Sequence, residues 1–388
     1  MSMIYSSPHD QGVQQQVHNH RDNNYAISKL QVSPKKQQYY LHHMSKFYGS
    51  CPLFEIMRVV SNIFQFIEVR EPRFVSSMLF DEDGRLDCIS MKEQNIFEVI
   101  LFLNQMGVFY FTDDNMTPGC GVLKLCDGRK RCMSLWVEFI TASGYLSAKK
   151  IRARFHSLFT ETISQSDFCD RININSQNTE VRFELDNQYT IEIIPAFRCA
   201  DMWPNTARQW IPIPNSFGVS DVITLKELRQ KGFILMSKEL PAGTPSKGCA
   251  DGDAWLISFN DIEARILDQL GRLRCISLLE TIMSSLNPSQ ENRKGPINLN
   301  IMRTIVLYES DKHCDHCYWQ ESKMIERVNS CMLQLVACLN SGQCLHYFIP
   351  GVNLFKSYDK DELINTAKQV WSNLRSLAFN SPLGTNLF

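Results

Sequence analysis

The chain has 388 residues, 44% hydrophobic and 21% charged, with a formal net charge of −1 at pH 7. This is ordinary globular composition, long enough for one big domain or two lobes. A balance so close to neutral excludes a global basic field for nucleic acid and leaves only local basic patches.

Residues 1–40 are polar and poor in aliphatics, as in HDQGVQQQVHNHRDNN, and read as a disordered tail carrying His9, His18 and His20. Order is expected from Tyr39. In CPLFEIMRVVSNIFQFIEV, the positions Leu53, Ile56, Met57, Val60, Ile63, Phe64 and Ile67 share one helical face, with Pro52 suited to the first turn. Residues 96–103 read as a strand. The segment CGVLKLCDGRKRCMSLWVEFI reads as a hairpin turning at Asp127-Gly128. YLSAKKIRARFHSLFTETIS is a helix with a basic side, and VRFELDNQYTIEIIPAF is a second hairpin turning at Asp186-Asn187.

After about residue 215 the pattern turns helical. DAWLISFNDIEARILDQL and RCISLLETIMSSL are expected helices, with Asp253 as a cap for the first. ESKMIERVNSCMLQLVACLNS sets Ile325, Val328, Met332, Leu335 and Leu339 in register, and KDELINTAKQVWSNLRSL is the last helix. The fold class is therefore α+β: a tail (1–40), a mixed-sheet lobe (41–215), a helical lobe (216–378) and a short tail (379–388).

No apolar run approaches the ~20 residues that a membrane helix needs. The start, MSMIYSSPHDQ, has no basic segment leading into an apolar core. An intracellular protein is expected, in nucleus or cytoplasm, with its 14 cysteines reduced and mostly buried as small apolar residues.

One residue stands out. QNIFEVILFLNQMGVFYF, residues 94–111, sets Glu98 inside an apolar run. A lone carboxylate taken out of water costs several kcal/mol unless something pairs with it. The longer run FEVILFLNQMGVFYFTDD…PGCGVLKLCDGRKRCMSLWVEFITASGYLSAKKIRARF, Phe97–Phe155, resembles the Mab-21-like (male abnormal) family. So do EVREPRFVSS, GDAWLISF and HYFIPGVNLF. The resemblance spans roughly residues 45–377, and the Glu98 strand and YFIPGVNLF also look like the wider superfamily of cyclic GMP-AMP synthase.

The resemblance implies a nucleotidyltransferase-fold lobe carrying metal-binding acids, closed by a helical lobe. Transfer of a nucleotidyl group needs Mg²⁺ or Mn²⁺ on hard oxygen ligands, to neutralise the triphosphate and activate a hydroxyl. Two acids at i and i+2 on one strand face the same way, and a third can reach them from the neighbouring strand. Here the family's acid-x-acid element falls on Ile96-Phe97-Glu98, so the first acid is replaced by Ile96. The third position falls on Glu192. The phosphate-cradling turn falls in SSMLFDEDGRLDCIS, where Gly84 is followed by Arg85 among Asp81, Glu82, Asp83 and Asp87. On the helix that contacts nucleotide in relatives, Leu273 and Glu280 replace lysines, while Arg272, Arg274 and Ser277 remain. Lys46 matches a basic position of the first long helix.

The main expectation is a developmental regulator on a nucleotidyltransferase fold, catalytically degenerate. Glu98 and Glu192 would be vestigial metal ligands, and Lys46, Arg85, Arg272, Arg274 and Ser277 a nucleotide triphosphate site. The family association with cell-fate decisions implies protein partners in a developmental pathway, with a homo-oligomer as a further option. A first alternative is an active cyclic-dinucleotide-synthase-like transferase, in which Glu93 or Asp87 would stand in for Ile96. A second is a nucleic-acid sensor using Lys149, Lys150, Arg152 and Arg154 against phosphates, with GRKR, 128–131, as another basic run. KHCDHCYW crowds His313, Cys314, His316 and Cys317, with Cys331, Cys338, Cys344 or His346 as distant completers. The expectation there is a polar loop and core thiols rather than zinc.

Overall fold

The structure is a computed structural model of the chain, described here for residues 53–74, 88–93, 95–103, 107–113, 117–128, 134–174, 180–210, 225–240, 253–267, 270–284 and 295–380. Residues 1–52, with His9, His18, His20 and Lys46, residues 381–388, Arg85 with the acidic segment 81–87, and residues 129–131 of the GRKR run lie outside the described residues. Two compact units are distinguished: Met1–Asn62 with Leu79–Asp87, and Ile63–Met78 with Cys88–Phe388. Of the first unit, the described part is the leading stretch of helix α1 (Leu53–Arg70). Along α1, Ile56, Met57, Val60, Ile63, Phe64 and Ile67 are buried as their spacing predicts, and Val59 joins them. Everything below concerns the second unit.

Among the described residues, nine strands form one mixed sheet. β1 (Ile89–Glu93), β2 (Ile96–Phe102), β3 (Phe109–Asp113) and β4 (Cys120–Leu125) precede helix α2 (Ala148–Ile163). β5 (Ile172–Ile174), β6 (Val181–Leu185) and β7 (Tyr189–Cys199) follow it. After the short helix α3 (Leu225–Lys231) come β8 (Phe233–Met236) and β9 (Trp255–Ser258). The order is β1-β2-β7-β8-β9-β4-β3, with β6 on β7 and β5 on β6.

Strand β2 is apolar on both faces apart from Glu98 because it is interior, antiparallel to β1 and parallel to β7. The other edge of β7 is shared: β6 takes its first half and β8 its second. The changeover falls at Pro195, whose carbonyl accepts from the Ser237 N–H at 3.0 Å. The chain leaving β8 is thereby set next to the middle of β7. At the β6–β7 turn, Asp186 and Asn187 both sit at φ 53°. Asx residues tolerate this left-handed conformation, and a tight hairpin turn requires it.

Four expectations change. The segment 120–140 is not a hairpin: β4 pairs with β3 on one side and β9 on the other, and Val137–Phe139 is a 3-10 turn. Trp136 is the reason. It is almost fully buried and packs edge-on against Phe74 and Phe197. Seating that indole outweighs the strand preference of its neighbours.

DAWLISF is not helical either. Trp255–Ser258 is strand β9, and the helix α4 covers Asn260–Leu267. Asp253 accordingly caps no helix of its own. Its carboxylate accepts from the Ser147 hydroxyl, and that same oxygen accepts from Lys150 N at 3.2 Å to cap α2. A lobe boundary at 215/216 would cut the sheet, since β8 and β9 lie beyond it and pair with β7 and β4.

The helical lobe comprises α5 (Leu270–Ser284), α6 (Leu299–Lys312), α7 (Met324–Ser341) and α8 (Lys360–Asn380). Ile325 on α7 is 61% exposed, so it leaves the expected core stripe. Val328, Met332, Leu335 and Leu339 keep it, joined by Met324 and Cys331. Helix α7 ends at Gly342, φ 66°, in a Schellman cap: Gln343 N–H donates to Cys338 O at 3.1 Å and Gly342 N–H to Leu339 O at 3.2 Å. Between α6 and α7 lies a buried ion pair, Arg327 to Glu309 at 2.8 Å.

Candidate functional site

Glu98 is fully buried in the middle of the sheet. Its register partner across the parallel pair is Glu192 on β7. Residues in register on adjacent strands point to the same face about 5 Å apart, so the two carboxylates converge as the family's acid positions imply. Ile96 occupies the first acid position, in register with Thr190.

Around the two acids the structure places cations. Lys238, in the segment leaving β8, sets its Nζ 2.7 Å from Glu98 Oε2 and 3.7 Å from Glu192 Oε2. Lys92 sets its Nζ 2.8 Å from Glu98 Oε1. Arg182, directly opposite Glu192 on β6, reaches Glu192 Oε1 at 3.2 Å. The Asn260 amide, at the start of α4, donates to Glu98 Oε1 at 3.4 Å.

Strand alternation sets Lys92 on the face of Glu98: Ser90 is directly opposite Glu98, and Lys92 lies two residues on. The pairing then shifts, from Met91 with Phe97 to Glu93 with Ile96, so Lys92 is the extra residue of a β-bulge. Burial alone would raise the Glu98 carboxyl. The ammonium groups of Lys92 and Lys238 outweigh it and hold this acid down at about 2. Burial works against the charge on Lys238, but the carboxylates of Glu98, Glu192 and Glu180 prevail and its pKa is raised. Both members of the pair are thus charged at neutral pH.

This donor set does not fit a divalent metal centre. Two carboxylates already face two ammonium groups and a guanidinium, so an arriving cation would meet an excess of positive charge. Ile96 supplies no oxygen. Among the described residues there is no group of three or more His, Cys, Asp or Glu able to hold a metal ion.

The nucleotide-contact residues expected on the second lobe fall elsewhere. Arg272 is fully buried, donating to Ile266 O at 2.7 Å and Cys314 O at 3.4 Å, with its guanidinium over the Trp319 ring. Burial lowers its pKa to about 10. Arg274 is exposed and pairs with Glu321. The Ser277 hydroxyl donates back to Leu273 O at 3.2 Å. None of the three is brought to Glu98 by a described contact.

The basic stretch of α2 is also divided. Lys149 and Lys150 are exposed, but Arg154 pairs with Glu71 at 3.0 Å and Arg152 is buried. Arg152 Nη1 donates to the carbonyls of Ser237 at 2.8 Å and Lys238 at 3.0 Å. His313 O accepts from Trp319 Nε1 at 2.6 Å and Cys314 O from Arg272, while the His313 imidazole lies 3.5 Å from Glu309 Oε1 and packs against Tyr318.

Sequence reasoning singled out both acids and missed their partners Lys92, Lys238, Arg182 and Asn260; it named Arg152, but as a contact to nucleic-acid phosphates rather than to the backbone around Lys238. One signal was available. Ile151, Arg152, Phe155, Leu158 and Phe159 share a helical face, and an arginine on an apolar stripe needs buried acceptors.

Comparison with protein families bears out the resemblance. Residues 85–269 match the Mab-21 protein nucleotidyltransferase domain, and residues 271–372 match the Mab-21 protein HhH/H2TH-like domain. Together these matches cover well over half of the chain, and β8 and β9 fall within the first. The chain belongs to the Mab-21 family.

Proposed function

We propose that this Mab-21 family chain is a regulatory protein that uses its nucleotidyltransferase fold for binding rather than for metal-dependent transfer. One observation carries the reading: Glu98 is wholly buried and neutralised by Lys92 and Lys238, while the residue two before it is Ile96. Two-metal transfer needs carboxylates free to take metal ions. A nucleotide and protein partners are the ligands of this reading, and an intracellular role in developmental cell-fate decisions follows from the family association. Among the described residues, no helix is long and apolar enough to cross a membrane.

The test is calorimetric titration of ATP, GTP and CTP into the full chain with and without Mg²⁺ or Mn²⁺, coupled to a search for pyrophosphate release. Nucleotide binding that is indifferent to metal, without pyrophosphate, supports the reading. Metal-dependent product formation lost in Glu98→Gln overturns it.

A second reading, an active transferase, has one backbone feature in its favour. Glu93 is in register with Ile96 across β1 and β2. Product formation lost in Glu93→Gln would select this reading.

A further inference from the structure

Three consecutive residues leave β8 under unusually tight control. Arg152, buried on α2, donates to the carbonyls of Ser237 and Lys238. Glu180 accepts from the N–H of Glu239 at 2.7 Å. The Ser237 N–H is held by Pro195 O at 3.0 Å. Two charged side chains and a strand therefore fix the backbone on both sides of Lys238. The side chain so aimed ends between the two carboxylates. Behind it lies a small cavity lined by Arg152, Glu180, Pro195 and Ser237.

We propose that the Lys238 ammonium is a tethered cation, holding the position between Glu98 and Glu192 that a divalent ion would otherwise claim, with Arg152 as the residue that positions it. The inference deepens the binding-only reading above and rests on it. An ammonium carries a single charge and donates in a few directions, so it neutralises a carboxylate pair without polarising a phosphoryl oxygen as a Lewis acid does. Held covalently, it does not need to be recruited from solution. Lys92 completes the neutralisation from the other side. The site keeps the shape of a cation site and excludes cations. With Lys238 removed, the two carboxylates face only Lys92 and Arg182, and the excess of positive charge that turns a metal ion away is gone.

The experiment is a Mn²⁺ titration of the full chain followed by electron paramagnetic resonance of the free ion. Wild type and Lys238→Arg should leave Mn²⁺ free at millimolar concentration. Lys238→Met should gain Mn²⁺ affinity by about tenfold or more, and adding Glu192→Gln should remove the gain. Arg152→Met, with Lys238 intact but released, should show part of the same gain. Wild type that binds Mn²⁺ as tightly as Lys238→Met overturns the proposal.

Should Lys238→Met fold too weakly for the titration, the double variant Glu98→Gln/Lys238→Met gives a second readout. It should recover most of the thermal midpoint lost in the single variant, because the buried charge is removed with its partner. A double variant no more stable than the single one overturns the proposal. Pyrophosphate release by wild type speaks against the binding-only reading alone, whereas Mn²⁺ exclusion and its loss are measured without any turnover.

Discussion

Glu98 and Glu192 stand in the same register of two parallel strands, yet they live in different electrostatic worlds. Glu98 is fully buried between two lysines, while Glu192 keeps 21% of its side chain exposed and leans on Arg182. Removing compensation should therefore be felt through Glu98. Lys238→Ala should destabilise the protein by roughly 3 kcal/mol, the lower end for a broken buried pair because Lys92 remains. Lys92→Ala should cost less, since Lys92 is the more exposed partner. Chemical denaturation of both variants ranks the two losses.

Acid should act in two windows. His346 is half-buried, its loss of solvation holds it down to about 4, and its Nδ1 accepts from the N–H groups of Phe348 and Ile349 at 3.2 Å each. The unfolded chain takes up that proton near 6.5, so stability falls as pH drops from about 6.5 towards 4. Glu98 sits at about 2 in the folded state, with Lys92, Lys238, Glu192 and Asn260 facing it. Its contribution, on the order of 3 kcal/mol, is intact above about 4.5 and lost below it. In His346→Asn the amide oxygen can accept the same two N–H groups. A melting profile against pH should then lose its upper window and keep its lower one.

Replacing Arg272 separates a structural from a ligand role. Arg272→Met strands the buried carbonyl of Ile266 and the part-buried one of Cys314, and removes the contact with Trp319. A loss of about 2 kcal/mol is expected, from roughly 1–3 kcal/mol for an unsatisfied buried group. Nucleotide affinity measured well below the melting temperature should be unchanged. An affinity loss with little change in stability would return Arg272 to the ligand site.

Nucleic acid should bind weakly through α2. Of its basic residues, Arg152 is buried and Arg154 is paired with Glu71, which leaves Lys149 and Lys150. Two phosphate contacts give a slope of log affinity against log salt of about −2. Fluorescence anisotropy with a short duplex tests this, and a slope of about −4 or steeper would mean a larger basic surface.

Much of the fold was legible because its signals are local. The spacing on α1, the Asp186-Asn187 turn and the stripe on α7 each depend on residues a few positions apart. Glu98 was legible as an anomaly, an acid in an apolar strand. Its partners were not, because each arrives from a different segment: Asn260 reaches it across 162 residues of chain. Lys92 shares the face of Glu98 only because β1 pairs with β2 in the register that sets Ser90 opposite Glu98, and no periodicity reveals that register. The segments around Trp136 and Trp255 were misread for a related reason. Where an indole finds its packing partners decides the local backbone, and those partners are remote.

The remoteness of those partners also bears on time. β2 meets β7 only after the intervening chain has folded back, and pairings of high sequence separation form slowly. Lys92 is a few positions from Glu98 across the local β1–β2 pairing, whereas Lys238 and Glu192 come from distant segments. The cluster is thus half local and half long-range, and its halves can act on different kinetic steps. A pair already made at the folding barrier changes the folding rate, and one made after it changes only the unfolding rate. Refolding and unfolding rates of Lys92→Ala and Lys238→Ala separate the two halves: faster unfolding with unchanged refolding marks a latch on the finished protein.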